Sequence, residues 1–356
     1  MDAARPRAVT GASVASALTT RTATLTLRTL GAEQPQPVQS RLSTWANLSS
    51  LIIGGALLQM GYVFQTSGLA FATLVVVTLS MVCCWTLVLT TRCFEKAANL
   101  VPENEREGHT VDWPLIGQAA FGFSGKLSVA AVFFVDTVTT ILYMQVLCGS
   151  CLALLFPSVG EATLLCAAGV ASILMLAVPE HYLSCVSSLG LFAAVVFIAS
   201  VVASGACLGH QNGNAVDFRF VDFAGGAIAV PIVAIGMSAQ SGVGTIYSRM
   251  SNKEHFASVN FWAFATAATV YVIIGSVGYL VYGRHVQVNL LDNVSFDAEG
   301  RPLLGLQWLQ KLAAATFAAK LQVAQPLLIE PLACMLEASA LQMCRACHFE
   351  KDNLDL

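Results

Sequence analysis

Between Arg41 and Arg92 the chain runs for fifty residues without a single Asp, Glu, Lys, Arg or His. A helix that crosses the hydrocarbon core of a bilayer needs about 20 apolar residues, so this stretch can hold two spans and a turn. Thr66, Ser67 and Gly68 lie near its middle and supply the turn. The whole chain is only 11% charged, whereas a soluble domain is about 25% charged. The sequence therefore predicts an all-α, polytopic protein embedded in the lipid bilayer.

Further apolar segments of membrane length bring the total to eight predicted spans. They cover Ser43–Gly68, Leu69–Leu89, Lys126–Phe156, Ala162–Val178, Leu183–Leu208, Ala224–Arg249, Phe256–Tyr282 and Leu303–Leu341. A short interfacial helix is predicted at Trp113–Phe123, before the third span. Pro326 and Pro331 predict a bend in the last span, because proline removes a backbone donor and clashes with the preceding turn.

The distribution of Lys and Arg sets the predicted orientation. With the N-terminus in the cytosol, thirteen of these residues fall on the cytosolic side and three on the opposite side. Cytosolic loops carry such an excess, and eight spans return the C-terminus to the same side. The predicted domains are a disordered cytosolic tail over 1–42, a transmembrane bundle over 43–343 and a cytosolic tail over 344–356. For the first tail, which is rich in Ala, Ser, Thr and Arg, a transit peptide is the alternative.

Two Asn-x-Ser sequences match the acceptor pattern for N-glycosylation. Asn293 falls in an outer loop, where a glycan could be attached, and Asn47 falls at the cytosolic mouth of the first span. We therefore expect Asn47 to be unused.

Two predicted spans are interrupted by glycine and small polar residues. The first contains Gly54 and Gly55, and the sixth contains the sequence GMSAQSGVG over 236–244. Lipid offers no water to backbone groups freed by a break, so a break must be buried in protein or line a cavity. Paired interruptions in two halves of a chain point to a transporter binding site. Close helix packing through small residues is the alternative, and the pairing favours a binding site.

The groups at these interruptions suit a small polar or zwitterionic ligand. Backbone N–H groups at the start of a half-helix can hold a carboxylate. Serine and glutamine can instead form hydrogen bonds between helices, which is the structural alternative. The predicted substrate-binding residues are Ser50, Gly54, Gly55, Ser238, Gln240 and Ser241.

Two charged residues, Asp136 and Lys320, fall well inside predicted spans. Charges at this depth are costly and commonly functional, and we expect these two to pair if the third and eighth spans touch. Lys320 would then supply a positive charge where a sodium ion would otherwise sit, or Asp136 or Glu330 would carry a proton. The alternative is a structural role, or side chains that reach a water-filled cavity. Asp136 and Lys320 are therefore the candidates for coupling or gating.

Other classes of function have little support in the sequence. A net charge of −3 gives no basic surface for nucleic acid. The pattern from Cys344 to His348 matches a c-type haem attachment sequence, but it lies beside the membrane with no axial ligand in view. We find no nucleotide-binding loop, nucleophile motif or metal-ligand cluster. The prediction is no cofactor, no metal, no nucleic-acid partner and no enzymatic activity.

Several stretches between Trp45 and Leu341 resemble, in order, the amino acid/auxin permease family, and most closely its vesicular inhibitory amino acid transporter type. The resemblance is carried by Gly54 with Tyr62 and Phe64, Val82–Thr86, Ile141–Tyr143, Ser238–Phe256, Gly278–Leu280, Asp292 with Asn293, and Lys320 with Pro326, Leu336 and Glu337. This chain departs from the family at Ser50, where an Asn is usual, and at Gly61 and Gly244, where prolines are usual.

The resemblance implies the inverted-repeat fold of the APC superfamily, in which helices one and six unwind around an amino acid. Family members usually have eleven helices, against the eight predicted here. The predicted function is secondary active transport of amino acids by alternating access, and Lys320 favours protons over sodium because it repels a nearby cation. The alternative is a non-transporting amino-acid sensor derived from a truncated transporter. The expected location is a vacuolar, vesicular or plasma membrane, with both termini cytosolic.

Overall fold

The computed structural model describes residues 39–102, 112–175, 180–209, 218–296 and 305–336, with side chains except those of 180–186 and 208–209. Within these ranges the regular secondary structure is helical, and Gln39 and Met250 form an isolated β-bridge. The all-α prediction is confirmed. Most of the predicted N-terminal tail and all of the predicted C-terminal tail lie outside the described residues.

The helices follow the predicted spans in order. They are α1 (Arg41–Ile52), α2 (Met60–Ser67), α3 (Leu69–Leu100), α4 (Trp113–Leu155), α5 (Glu161–Met175), α6 (Glu180–Gly209), α7 (Gly226–Gly236), α8 (Gln240–Arg249), α9 (Phe256–Tyr282), α10 (Gln307–Ala324) and α11 (326–336). A 3₁₀ turn, Gly55–Gln59, joins α1 to α2. The helix of the last span is interrupted at Gln325, directly before Pro326, where the sequence predicts a bend.

Six segments in the described part are long and apolar enough to cross a membrane, or seven when the bent pair Arg41–Ile52 and Gly55–Ser67 is taken as one span. The fourth predicted span appears as the shorter apolar helix α5, which has 15 residues. Several apolar side chains of α3 and α4, including Met81, Trp85 and Val132, point outward. Such a surface is stable only against lipid or further protein, so the chain is a multi-pass membrane protein.

Special backbone residues set several helix boundaries. Ser40 is the N-cap residue of α1, because its side-chain oxygen accepts a hydrogen bond from the N–H of Ser43 in the first turn at 3.2 Å. Gly68, with φ of +80°, makes the turn from α2 to α3. Within α4, Phe121 and Gly122 are non-helical and Gly122 has φ of +66°. A short helix from Trp113 therefore precedes the third span, as the sequence predicts.

The first broken span lies at the centre of the bundle. The helix α9 packs along α1, α2 and α3, and α6 packs against α1, α9 and α10. Leu48, Ile52, Leu57 and Val63 are therefore almost completely buried. A backbone group freed by the break is therefore buried and needs a hydrogen-bond partner.

Residues near the first and the last described positions of the chain meet at one end of the bundle. Gln39 bridges Met250 after α8, and Arg249 forms an ion pair with Glu330 of α11. The beginning of α1, the end of α8 and Glu330 of α11 therefore lie at the same end of the bundle.

The loop after α9 contradicts the expectation that Asn293 could carry a glycan. Asn293 is 6% exposed, its Nδ2 donates to the carbonyl oxygen of His285 at 2.9 Å, and its Oδ1 accepts from the N–H of Gln287 at 2.7 Å. Both amide groups are committed to holding the loop together. The sequence pattern is satisfied, but the side chain that would be modified is buried within the loop.

Candidate functional site

The first break frees carbonyl groups at the end of α1. In a continuous helix the N–H of Gly54 would donate to the carbonyl oxygen of Ser50. Here Gly54 has φ of −108° and ψ of −149°, and its N–H points to the carbonyl oxygen of Ile52 at 2.7 Å. The carbonyl oxygen of Ser50 has therefore lost its helical partner and must bond to another element.

Lys320 of α10 replaces that partner. Its Nζ donates to the carbonyl oxygen of Ser50 at 2.6 Å, and its side chain is completely buried. The predicted pairing of Lys320 with Asp136 is wrong, because Asp136 lies exposed on α4 and these two described residues form no ion pair. Sequence spacing shows that both charges lie in spans, but not which face of α4 meets α10.

Tyr271 of α9 connects the two breaks. Its hydroxyl oxygen lies 2.7 Å from the carbonyl oxygen of Ile52, 3.1 Å from that of Gly236 and 3.4 Å from the nitrogen of Gly54. Ile52 is the last residue of α1, and Gly236 is the last residue of α7. One buried hydroxyl therefore contacts the carboxyl ends of both interrupted half-helices.

The two breaks also touch directly. A Cβ atom placed on Gly236 would lie 2.6 Å from the Cβ of Ala56, which is too close for a side chain at that position. On the other side of the first break, the ring of Tyr143 covers Gly55, where an added Cβ would approach Cε1 to 2.8 Å. The absence of a side chain at Gly55 and Gly236 thus lets neighbouring elements pack closely against the backbone at these two positions.

The second break is organised by its own side chains. Met237, Ser238 and Ala239 separate α7 from α8. Oε1 of Gln240 accepts hydrogen bonds from Oγ of Ser238 at 3.0 Å and from the N–H of Ala239 at 2.9 Å. Ser238 is exposed, whereas Ser241, in the first turn of α8, is buried.

Contacts at both ends hold α8 in place. At its beginning, Nε1 of Trp113 donates to the carbonyl oxygen of Gln240 at 2.9 Å. At its end, Tyr247 forms a hydrogen bond with Glu95 of α3, and Arg249 forms its ion pair with Glu330. The half-helix after the second break is therefore tied to α3, α4 and α11.

Comparison with known proteins identifies the group to which this arrangement belongs. Residues 37–354 match the family described as "Transmembrane amino acid transporter protein". The chain belongs to this family. The match covers both broken spans, so the paired interruptions lie within the region that defines this transporter family.

Curated relatives within this transporter family come from Arabidopsis thaliana. Amino acid transporter AVT1J is 29% identical over 198 residues, which is 52% of this chain and 46% of that protein. Amino acid transporter AVT1D is 25% identical over 262 residues, or 70% of this chain and 45% of that protein. Amino acid transporter AVT1E is 23% identical over 276 residues, or 72% of this chain and 49% of that protein. The chain spans about half the length of these three relatives.

The predicted site residues of this family member fall into three groups. Gly54 and Gly55 lie at the first break, and Ser50 is bound through its carbonyl oxygen to Lys320. Ser238, Gln240 and Ser241 lie at the second break or in the turn that follows it. Asp136 lies on an exposed face of α4 instead.

Two tyrosines at the breaks were not predicted as site residues. Tyr143 covers Gly55, and Tyr271 bonds to both breaks. A tyrosine in mid-span carries a hydroxyl that needs a partner, and that was the available signal for Tyr271. The sequence does not reveal that its partners are the ends of two other helices.

Proposed function

We propose that this chain is a secondary active transporter of amino acids whose substrate binds where the two broken spans meet. The observation that carries the proposal is the direct contact between two half-helix ends, each with backbone groups outside regular helix. Membership of the transmembrane amino acid transporter family supports it, as do relatives named amino acid transporters. We do not expect enzymatic activity, because the groups at the breaks suit binding rather than bond-breaking chemistry.

Both charged ends of an amino acid find complementary groups at the breaks. The backbone N–H of Gly55, at the start of the 3₁₀ turn, suits the carboxylate, and the N–H of Gly54 can join it when its bond to the carbonyl oxygen of Ile52 opens. The carbonyl ends of α1 and α7 carry partial negative charge and suit the ammonium group. Ser238 and Gln240 add uncharged hydrogen-bonding groups at the second break. We assign Ser50 and Ser241 supporting positions on the buried side of the same region.

Proton coupling is preferred over sodium coupling. Lys320 places its Nζ at the orphaned carbonyl oxygen of Ser50, where a second cation would be repelled. Loss or gain of a proton at Nζ would change the strength of this bond and thereby the position of α1. Asp136 is kept as the second coupling candidate, although its exposed position favours Lys320.

Alternating access requires the two ends of the site to open in turn. The contacts of Tyr247 with Glu95 and of Arg249 with Glu330 close one end. The positive-charge distribution favours that end as the cytosolic one, with both termini there. We propose that these contacts separate when the substrate is released to the cytosol. A vacuolar, vesicular or plasma membrane is the proposed location.

Uptake into proteoliposomes tests the proposal. The full chain would be reconstituted and supplied with labelled amino acids one at a time, under an imposed pH gradient or sodium gradient. We expect concentrative uptake that follows the pH gradient and persists without sodium. Uptake that requires sodium and ignores the pH gradient would contradict proton coupling.

The same preparation separates a transporter from a sensor. Equilibrium binding of the labelled amino acid would be measured in parallel with uptake. Saturable binding without uptake, from a preparation shown to be folded by its thermal transition, would support the sensor alternative. If the folded protein neither binds nor takes up any amino acid, both the transporter proposal and the sensor alternative fail.

A further inference from the structure

We propose that the contact between α1 and α6 binds a short row of water molecules that leads to the amino group of Lys320. The side chains of Asn47, Ser50 and Ser187 form this water site. The inference rests on the proposed function in one respect, namely that Lys320 exchanges a proton during transport. Its main tests measure hydration and stability, and they are independent of transport.

Polar atoms without a hydrogen-bond partner among the described residues occur together on this contact. They are both amide atoms of Asn47 and the hydroxyl oxygens of Ser50 and Ser187. Each of these residues is at most 1% exposed. A buried polar group without a partner is costly, and native proteins satisfy nearly all such groups through protein atoms or ordered water. Polar atoms that are buried together in this way indicate bound water, which both donates and accepts hydrogen bonds.

The two helices place these side chains next to one another. A Cβ atom added to Gly190 of α6 would lie 3.3 Å from Oγ of Ser50, so the two helices approach closely at this level. Asn47 lies one turn before Ser50 on α1, and Ser187 lies one turn before Gly190 on α6. Residues one turn apart share a helix face, so Asn47 and Ser187 belong to the two faces that meet.

The helices α1 and α6 run in the same direction. The helix α1 begins at the end of the bundle where α8 ends, and α9 begins at that end too. At its far end α9 finishes at Tyr282, whose hydroxyl donates to Oγ of Ser204 on α6 at 3.1 Å. A helix rises about 1.5 Å per residue, so Ser187 lies about 25 Å before Ser204, towards the beginning of α1. Asn47 and Ser187 therefore stand at the same level.

Lys320 lies at the inner end of this row. Its Nζ donates to the carbonyl oxygen of Ser50 at 2.6 Å, and its side chain is completely buried. An ammonium group has three N–H donors, and this bond uses one of them. Val323, one turn after Lys320, lies against α6 as well, since a Cβ atom added to Gly190 would be 3.1 Å from its Cγ1. The helix α10 thus closes the third side of the water site and brings the amino group to it.

The other end of the row points towards Glu330. A Cβ atom added to Gly242 of α8 would lie 2.6 Å from Cδ2 of Leu51 and 3.5 Å from the carbonyl oxygen of Leu327, so α11 begins beside α1. Glu330 follows one turn later, where one of its oxygens pairs with Arg249. Its Oε2 is a further buried atom without a partner in the described part of the chain.

A row of water in this position gives the proton of Lys320 a route to that end of the bundle. The proton leaves Nζ for the adjacent water molecule, which passes one of its own protons to the next. The amino group becomes neutral, and the reverse sequence restores its charge. Each step exchanges one N–H or O–H bond for another, so no further reactant is needed.

Removing one hydroxyl group tests whether the contact is hydrated. Ser187→Ala adds no atoms, and its thermal midpoint would be compared with that of the unsubstituted chain in detergent micelles. In a dry contact the substitution removes an unpaired buried polar group, and the midpoint should rise. In a hydrated contact water loses a partner, and we expect the midpoint to fall by about 2 °C. A midpoint that rises or stays unchanged would overturn the proposal.

Contact between water and the amino group of Lys320 provides the direct test. The protein would be reconstituted in lipid with isotope-labelled lysine, and transfer of magnetisation from water to Nζ would be measured by solid-state NMR. Loss of its signal in Lys320→Met identifies Lys320. We expect transfer in the unsubstituted chain and transfer about threefold weaker or less in Asn47→Leu, which removes two polar atoms from the row. Absence of transfer in the unsubstituted chain, or equal transfer in both proteins, would contradict the water site.

Ser200 supplies a matched control on α6. Its hydroxyl is buried and donates to the carbonyl oxygen of Val196 at 2.9 Å, about 20 Å further along the helix than Ser187. Ser200→Ala should leave transfer to Lys320 unchanged, and a loss equal to that of Ser187→Ala would show that disturbance of α6 explains the effect. If Asn47→Leu does not fold, Ser187→Ala replaces it in the NMR experiment, where undiminished transfer would overturn the proposal.

Uptake into proteoliposomes separates this inference from the proposed function. Uptake driven by a pH gradient should fall about fivefold or more in Asn47→Leu, because the row of water is interrupted. Full uptake in a variant whose water contact with Lys320 is lost would contradict the proton route. If the unsubstituted chain takes up no amino acid, the transport proposal fails, whereas the NMR and thermal results still decide whether the water site exists.

Discussion

The two broken spans solve the same backbone problem in different ways. At the first break, the freed groups of Ser50, Ile52 and Gly54 bond to side chains of other helices, Lys320 and Tyr271. At the second break, Gln240 accepts hydrogen bonds from its own neighbours. The first break therefore depends on side chains of other helices, whereas the second adds the contacts of its own Gln240 to hydrogen bonds from Tyr271 and Trp113.

The residue types explain this difference. Gly54 and Gly55 have no side chains with which to satisfy freed backbone groups, so distant residues must do it. The second break contains a serine and a glutamine, which are able to cap a helix beginning. We infer that the first break is sensitive to substitutions far away in sequence, and that the second tolerates local changes.

The largest expected effect is at Lys320. Lys320→Met removes the donor to the carbonyl oxygen of Ser50 and the charge proposed to carry the proton. Uptake should fall more than about tenfold, because a buried carbonyl is left without its partner and the coupling group is lost. Uptake driven by a pH gradient measures this.

Lys311→Met is the matched control, since Lys311 is an exposed lysine on the same helix. It should change uptake less than about twofold, because exposed substitutions are usually close to neutral. Equal losses in both variants would contradict the special role of Lys320.

The next largest effect is expected at the end of α8. Glu330→Gln removes the carboxylate that pairs with Arg249, both being almost completely buried. Removing one partner of such a pair leaves a buried charge and costs about 3–5 kcal/mol. A lowered thermal midpoint would be measured in micelles, and exposed Glu254→Gln serves as the control. An unchanged midpoint would show that the ion pair does not hold α8.

A matched pair of glycines tests the first break. In Gly55→Ala the new Cβ would lie 2.4 Å from Cδ1 of Leu147 and 2.8 Å from Cε1 of Tyr143, whereas in Gly54→Ala the nearest atom is 3.5 Å away. Overpacking of this kind costs about 1–3 kcal/mol. Gly55→Ala should therefore lower uptake much more than Gly54→Ala. The reverse order would mean that Leu147 and Tyr143 do not pack against Gly55 as described.

The smallest effects are expected at the second break. Ser238→Ala removes one hydrogen bond from an exposed residue and should cost less than about 0.5 kcal/mol. Gln240→Leu removes the acceptor for both neighbours and should cost about 1 kcal/mol. Midpoints and uptake would be compared for both variants. If either variant lost as much uptake as Lys320→Met, the second break would be as sensitive to substitution as the first. The proposed difference between the two breaks would then be wrong.

Much of the fold could be predicted from residue types along the chain. The uncharged stretch after Arg41, the turn at Gly68, the interfacial helix from Trp113 and the interruption before Pro326 all appear where the sequence places them. Each depends on local hydropathy or on a residue with special backbone geometry. The glycine breaks were found for the same reason.

The sequence by itself determined that the chain is an all-α membrane protein with two interrupted spans, because lipid permits few other structures for such composition. Only the tertiary structure decided which groups complete the interruptions. In that structure Lys320 donates a hydrogen bond to the carbonyl oxygen of Ser50 and does not pair with Asp136. The hydroxyl of Tyr271 contacts the ends of both α1 and α7. The physical reason is that hydropathy fixes which segments enter the membrane, whereas helix packing fixes which faces meet.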